Sequence, residues 1–138
     1  MSPAIQGVMY VGLSVTDVRR SAEWYHDVLG FEVEREGFDQ EGNGWDEILL
    51  RDPTSRLLIG LLQHRQNDGQ PFSEWRTGLD HVEFEVATMQ ELEEWRGRLD
   101  ARGIRWSGAH AHIVTFRDPD NIQLEFFCPQ RTGTAGQA

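Results

Sequence analysis

The sequence contains two imperfect copies of one pattern, and this repeat constrains the fold more than any other feature. The stretch MYVGLSVTD (9–17) matches DHVEFEVAT (80–88), so that Tyr10 aligns with His81. In both copies an alternating segment leads into a segment with helical periodicity. At 138 residues the chain is expected to form one compact domain, or two small half-domains that share a core.

The residue pattern within each copy predicts a strand, a helix and three further strands. In the first copy Val11 and Leu13 alternate with polar or small residues, which indicates a half-buried strand. Asp17 is then placed to cap a helix that Gly30 ends, and Thr88 is the matching cap in the second copy. The later strands read FEVERE, WDEILLRDP and RLLIGLLQH in the first copy, and IRWSG, HIVTFRDPD and IQLEFF in the second.

These segments predict an α+β fold in which tandem βαβββ modules form a cupped mixed sheet with the helices outside. The first module is predicted over 1–64 and the second over 79–128. The polar stretch 65–78 is predicted to link them, and 129–138 is predicted to be a polar tail. Function is expected in the cup, because concave surfaces hold small ligands.

The charge balance excludes some classes of partner. A formal net charge of −10, from 23 acidic and 13 basic residues, disfavours binding to nucleic acid. No apolar stretch is long enough to span a bilayer, and no signal peptide is visible at the N-terminus. The single cysteine, Cys128, suits a reducing compartment. We therefore expect a soluble cytoplasmic protein without a membrane partner.

The motifs LSVTD..RS..WY..VLGFEV, GLDHVEFEV and FRDPDNIQLEFF together resemble the vicinal oxygen chelate superfamily. That superfamily includes glyoxalase I, fosfomycin-resistance enzymes, extradiol dioxygenases and bleomycin-resistance proteins. The resemblance extends to about Phe127 and implies the cupped βαβββ fold and homodimerisation. It is less informative about the reaction, because proteins of this fold differ in chemistry.

The resemblance also implies where a metal would be bound. In the metal-using members the ligands come from the first and last strands of each half. His81 and Glu125 stand at these positions in the second half, and Tyr10 stands where the first half usually has His. The remaining position falls at Ile59 or Gly60, neither of which can bind a metal. The implied metal residues are therefore His81, Glu125 and Tyr10, and the cofactor is either absent or one divalent metal.

The alternation of side chains identifies further residues that face the cup. The candidate ligand-binding residues are Tyr10, Trp45, Glu47, Glu83 and Thr115. If the protein is an enzyme, Glu83 and Glu125 are the candidate catalytic carboxylates, because a carboxylate can move a proton during the reaction.

The incomplete ligand set leads to two functional hypotheses. The favoured one is a protein that sequesters a cationic or aromatic small molecule, as bleomycin-resistance proteins do, in an acidic cup with a degenerate metal site. The alternative is a metal-dependent lyase, isomerase or dioxygenase that uses His81 and Glu125, with or without Tyr10. A module that binds only a protein partner is a third option.

Overall fold

The computed structural model describes residues 2–39, 42, 44–108 and 110–129. The chain divides into two compact units between Gln70 and Pro71. The elements follow in the order β1 (Tyr10–Ser14), α1 (Val18–Leu29), β2 (Glu32–Gly37), β3 (Trp45–Arg51), β4 (Leu58–His64), β5 (His81–Glu85), α2 (Met89–Ala101), β6 (Trp106–Ser107), β7 (Ile113–Arg117) and β8 (Gln123–Phe127).

Both units have the same topology. The strand order is β1-β4-β3-β2 in the first sheet and β5-β8-β7-β6 in the second. In each sheet the first and last strands of the module are parallel neighbours, and the other pairs are antiparallel. The predicted α+β fold with tandem βαβββ modules is thereby confirmed. The predicted module boundaries stay predictions, and residues 130–138 of the predicted tail lie outside the described residues.

The helices begin at the residues that the sequence predicted. The Asp17 carboxylate accepts a hydrogen bond from the Arg20 N–H at 3.0 Å. In the second unit the Thr88 hydroxyl accepts from the Glu91 N–H at 3.1 Å. Gly30 ends α1 with φ +82°, a left-handed conformation that costs glycine little because it has no Cβ. Local sequence thus determines where both helices begin and where α1 ends.

Each helix covers one face of its own sheet. Helix α1 packs on β3 and β4, whose inward residues Leu50 and Ile59 are completely buried. In the second unit the Trp95 ring of α2 stacks on Phe126 with 4.4 Å between centroids. Burying an aliphatic side chain contributes about 1.5–3 kcal/mol, so these faces account for much of the stability. The opposite face of the second sheet carries polar side chains, among them His81, Glu83, Thr115 and Glu125.

No helix among the described residues combines the length and apolar character needed to cross a membrane.

Candidate metal centre

Three acidic or imidazole side chains meet on the polar face of the second sheet. Strand β5 runs parallel to β8, and their register places Glu83 directly opposite Glu125. His81 lies two residues before Glu83 and points to the same side, because side chains alternate along a strand. The parallel pairing of the first and last strands of the module is therefore what brings His81, Glu83 and Glu125 together; we call these residues the acidic triad.

The donor atoms of the acidic triad are close enough to share one ion. His81 Nε2 lies 3.4 Å from Glu125 Oε1 and 4.0 Å from Glu83 Oε2. One ligand atom from each of the three residues can be chosen so that all lie within 4.8 Å of one another. The Glu125 side chain is the most enclosed, with 12% of its surface exposed, whereas that of Glu83 is 41% exposed.

The electrostatics of the acidic triad reflect this crowding. The pKa of Glu83 is raised by burial first, and then by the hydrogen bond and the negative charge of Glu125. The pKa of His81 is also raised, mainly by its hydrogen bond to Asp80 and further by the charge of Glu125. Two carboxylates side by side with one imidazole favour the arrival of a positive charge.

The outer atoms of the acidic triad already have partners. His81 Nδ1 lies 2.7 Å from Asp80 Oδ1. Glu125 Oε2 accepts from the Thr115 hydroxyl at 2.8 Å and from the Gln123 amide at 3.1 Å. The inner atoms, His81 Nε2 and Glu125 Oε1, consequently face each other.

The donor set fits a divalent transition metal. Imidazole nitrogen and carboxylate oxygen are ligands that Zn²⁺, Mn²⁺ and Fe²⁺ accept, and three protein ligands leave positions for water or substrate. Burial, and then the neighbouring Glu125, raise the pKa of Glu83, and a bound cation would favour the ionised carboxylate again. His81, Glu83 and Glu125 are therefore the residues that would hold such an ion.

The equivalent position in the first sheet is occupied differently. Gly12 lies opposite Gly60 on paired strands of the first sheet. Glu83 and Glu125 are the corresponding pair in the second sheet. Of the two positions that the sequence left open, Gly60 is thus the counterpart of Glu125. The Tyr10 ring lies over both glycines: a Cβ at position 12 would be 3.1 Å from Tyr10 Cε1, and a Cβ at position 60 would overlap the phenol.

The Tyr10 hydroxyl donates a hydrogen bond to Glu47 Oε2 at 3.0 Å, and Glu47 in turn pairs with Arg35 at 3.1 Å. Burial raises the pKa of Tyr10 to about 12, and the hydrogen bond to Glu47 adds to the shift. Because a phenol coordinates a metal well only after losing its proton, these contacts disfavour Tyr10 as a metal ligand. They suit a neutral hydrogen-bond donor.

The other candidates have different surroundings. Trp45 opens β3 with 42% of its surface exposed, and its ring centroid lies 6.1 Å from that of His64. A polar cavity of about 390 Å³ lies in the first unit. The described residues that line it do not include Tyr10, Trp45 or Glu47; they are Thr16, Asp46, Gln63, His64, Arg65, Asn67 and Gly69.

Sequence reasoning missed two features of this site. The sequence pattern indicates Glu83 as a proton carrier and ligand contact but not as a metal ligand, although its two-residue spacing from His81 places it on the same face of the strand. It indicates Asp80 only as part of a motif. Its position directly before the strand histidine was the available signal, because ligating histidines commonly bond a carboxylate through their other nitrogen.

The chain thus combines a βαβββ fold with a group of imidazole and carboxylate side chains that could hold a metal ion. The sequence model of the Glyoxalase/Bleomycin resistance protein/Dioxygenase superfamily matches residues 7–126. The chain belongs to this superfamily, which confirms the resemblance noted in its sequence.

Several individual proteins are similar to this chain in sequence or in fold. A glyoxylase/bleomycin resistance protein/dioxygenase domain from Frankia sp. EAN1pec is 31% identical, with a TM-score of 0.83 over 95% of this chain and 96% of that one. The fosfomycin resistance protein FosX from Listeria monocytogenes shares the fold at 17% identity, with a TM-score of 0.69 over 92% of this chain and 94% of FosX. The protein YqjT of Bacillus subtilis is 23% identical over 133 residues, covering 87% of this chain and 97% of YqjT.

Proposed function

We propose that this protein is a metal-dependent enzyme of the superfamily that acts on a small molecule at the acidic triad. The observation that carries the proposal is the convergence of one donor atom from each of His81, Glu83 and Glu125 within 4.8 Å. This arrangement favours the metal-dependent alternative over capture without chemistry, because the second sheet alone supplies three ligand-type side chains.

A divalent ion at this position would supply Lewis-acid polarisation of a substrate oxygen. The chain itself supplies the proton chemistry. Glu83 is the more exposed of the two carboxylates, so it is the one that a substrate can reach and the candidate group for moving a proton. Glu125, held by Thr115 and Gln123, is the more rigid of the two and suits a fixed ligand. A lyase or isomerase reaction needs only these roles, whereas a dioxygenase reaction would also require O₂ and a redox-active ion such as Fe²⁺.

The other predicted partners belong to the same proposal. The substrate is a small molecule, with Thr115 as a candidate contact beside Glu125 in the second unit. In the first unit, Tyr10, Trp45 and Glu47 stay candidate ligand-binding residues, and the chain works as a homodimer. Its single cysteine, Cys128, is buried and suits the reducing cytoplasm.

Metal binding tests the proposal directly. Chelator-treated protein is titrated with Mn²⁺ and with Zn²⁺ in a calorimeter, since one FosX structure contains Mn(II). We expect one ion per chain, and we expect His81→Gln and Glu125→Gln to abolish binding. His64→Gln is the matched control, because His64 is a strand histidine outside the acidic triad. The metal-loaded protein is then assayed against lyase, isomerase and dioxygenase substrates. Absence of stoichiometric binding, or binding that survives His81→Gln, would contradict the proposal.

Capture of a cationic aromatic ligand is the second candidate. It is favoured by the first sheet, where Tyr10 lies over Gly12 and Gly60 and takes the space in which the second sheet has ionisable side chains. Calorimetry of the metal-free protein with a bleomycin-type glycopeptide distinguishes the two functions. Tight binding without metal and without turnover would support capture.

A further inference from the structure

Asp80 stands directly before the first strand of the second sheet, outside the acidic triad but in contact with it. Its carboxylate oxygen lies 2.7 Å from His81 Nδ1. An ionised carboxylate can only accept hydrogen bonds. In this contact the His81 Nδ1 atom therefore carries the proton. In the neutral imidazole the lone pair is then on Nε2, which is the atom that faces Glu125 at 3.4 Å.

The ring of His81 can rotate about two side-chain bonds and can exist as two tautomers. Only one combination presents an Nε2 lone pair toward Glu83 and Glu125. The side chain of His81 is 34% exposed, so packing alone does not fix the ring. The hydrogen bond to Asp80 selects both the ring orientation and the tautomer. The negative charge of Asp80 also makes the Nε2 lone pair more basic, and therefore a better metal ligand.

We propose that Asp80 is a positioning residue that holds the His81 imidazole with its Nε2 lone pair directed into the acidic triad. This inference rests on the proposed function, because a preset lone pair matters only if a cation arrives there. The Glu125 carboxylate is held in a similar way. Its Oε2 accepts hydrogen bonds from Thr115 and Gln123, and its Oε1 faces His81 Nε2.

The first measurement needs no metal. The ¹⁵N signals of the His81 ring, assigned by their loss in His81→Gln, report the tautomer at a pH well above the histidine pKa. We expect the Nδ1–H form in the wild-type protein. Asp80→Ala is expected to move the population toward the Nε2–H form that a free imidazole prefers.

The second measurement is calorimetric titration with Zn²⁺. Loss of an outer partner of a metal-bound histidine commonly weakens metal affinity about 10- to 100-fold, and we expect Asp80→Ala to fall in this range. Asp80→Asn keeps an acceptor oxygen without the charge and should recover part of the affinity. Asp68→Ala is the control: Asp68 is also a loop aspartate whose carboxylate bonds locally, to the Gln70 N–H, in the first unit.

The possible results distinguish failure of the Asp80 positioning role from failure of the proposed metal site. Normal Zn²⁺ affinity in Asp80→Ala, or weaker affinity with an unchanged tautomer, would overturn the positioning role and leave the metal site standing. If wild-type protein binds neither Mn²⁺ nor Zn²⁺, the proposed function fails, and the tautomer shift alone decides whether Asp80 sets the ring. Circular dichroism of each variant checks that the sheet is intact.

Discussion

The phenol of Tyr10 fills the space that a side chain at position 60 would need. A Cβ built on Gly60 would overlap the Tyr10 hydroxyl and its ring carbons, while Tyr10 Cε1 lies 3.1 Å from the Cβ position of Gly12. These glycines pair with each other in the register that joins Glu83 to Glu125 in the second sheet. The duplicated fold therefore has two equivalent positions, one filled by an aromatic ring and the other lined by carboxylates.

Substitution of Gly60 tests this packing. We expect Gly60→Ala to destabilise the protein by about 1–3 kcal/mol, because the added methyl group must displace the Tyr10 ring. Urea denaturation gives the free energy of unfolding. Gly37→Ala is the control, since a Cβ at position 37 meets nothing within 4 Å. In the double variant Tyr10→Ala/Gly60→Ala most of the Gly60→Ala penalty should disappear. Equal penalties with and without the Tyr10 ring would show that the two residues do not compete for space.

The ionisation of Tyr10 gives a second prediction. Its pKa is raised to about 12 by burial and by the hydrogen bond to Glu47. We expect Glu47→Gln to lower the pKa part of the way toward 10, since burial remains. Ultraviolet absorbance of the phenolate measures the titration, and Tyr10→Phe separates its signal from that of Tyr25. Glu36→Gln is the control, because Glu36 lies on β2, the strand that pairs with the Glu47 strand β3.

The raised pKa of Tyr10 also predicts how the stability of the fold changes with pH. The folded state holds the Tyr10 proton more tightly than the unfolded state, so this contribution to stability is fully present below pH 10. It is lost as the pH rises from 10 to about 12. Tyr10→Phe should remove this loss, and an unchanged alkaline stability profile in Tyr10→Phe would argue against it.

The crowding of Glu83 and Glu125 predicts opposite effects on stability and on metal affinity. The pKa of Glu83 is raised in the folded state by burial and by Glu125, so its ionisation near neutral pH opposes folding of the metal-free protein. We expect Glu83→Gln to raise the melting temperature of metal-free protein at about pH 7 and to weaken Zn²⁺ binding. The gain in stability should vanish at acid pH, below the ordinary glutamate pKa, where both states are protonated.

Glu85→Gln is the matched control for that experiment, because Glu85 is the next residue on the same face of β5 and lies opposite Phe127. It should change neither the melting temperature nor the Zn²⁺ affinity appreciably. A Glu83→Gln protein that binds Zn²⁺ as tightly as the wild type would remove Glu83 from the ligand set.

An ion pair and a backbone hydrogen bond connect residues 72–74, which precede β5, to the second unit's strand β7 and the turn after it. Arg117 Nη1 and Nη2 contact the two carboxylate oxygens of Glu74 at 3.0 and 3.1 Å, and the Phe72 N–H donates to the Asp120 carbonyl at 2.7 Å. We expect Arg117→Met to release this segment and to accelerate tryptic cleavage after Arg76. High salt should accelerate cleavage of the wild-type protein for the same reason.

Arg102→Met serves as the control in the cleavage experiment, since Arg102 lies at the end of α2. Identical cleavage rates after Arg76 in Arg117→Met and wild-type protein would show that backbone contacts alone hold the segment.

Much of the fold was predictable from the sequence because its signals are local. The alternation around Leu13, the caps at Asp17 and Thr88 and the stop at Gly30 depend on residues within one helical turn or one strand. Repetition of the same order in both halves supplied the βαβββ topology. Alternating residues such as Leu13 and Leu124 are buried on the helix side of their sheets, because two-residue periodicity fixes which side of a strand a residue occupies.

The candidate site was predictable only in part. His81 and Glu125 were identified from a family motif, but their convergence with Glu83 depends on the pairing of β5 with β8, strands separated by a helix and two other strands. Whether Ile59 or Gly60 matches Glu125 depended on one residue in a turn, and only the strand register resolved it.

The sequence by itself determined the repeat, the elements and the face of each strand on which a side chain lies, because these follow from nearest-neighbour geometry along the chain. The tertiary structure alone decided that the Tyr10 ring lies over two glycines, that Glu47 accepts its hydrogen bond, and that the Asp80 carboxylate contacts Nδ1 of His81. Those contacts join side chains through space over a few ångströms, and no periodicity of the sequence encodes the rotamers that make them.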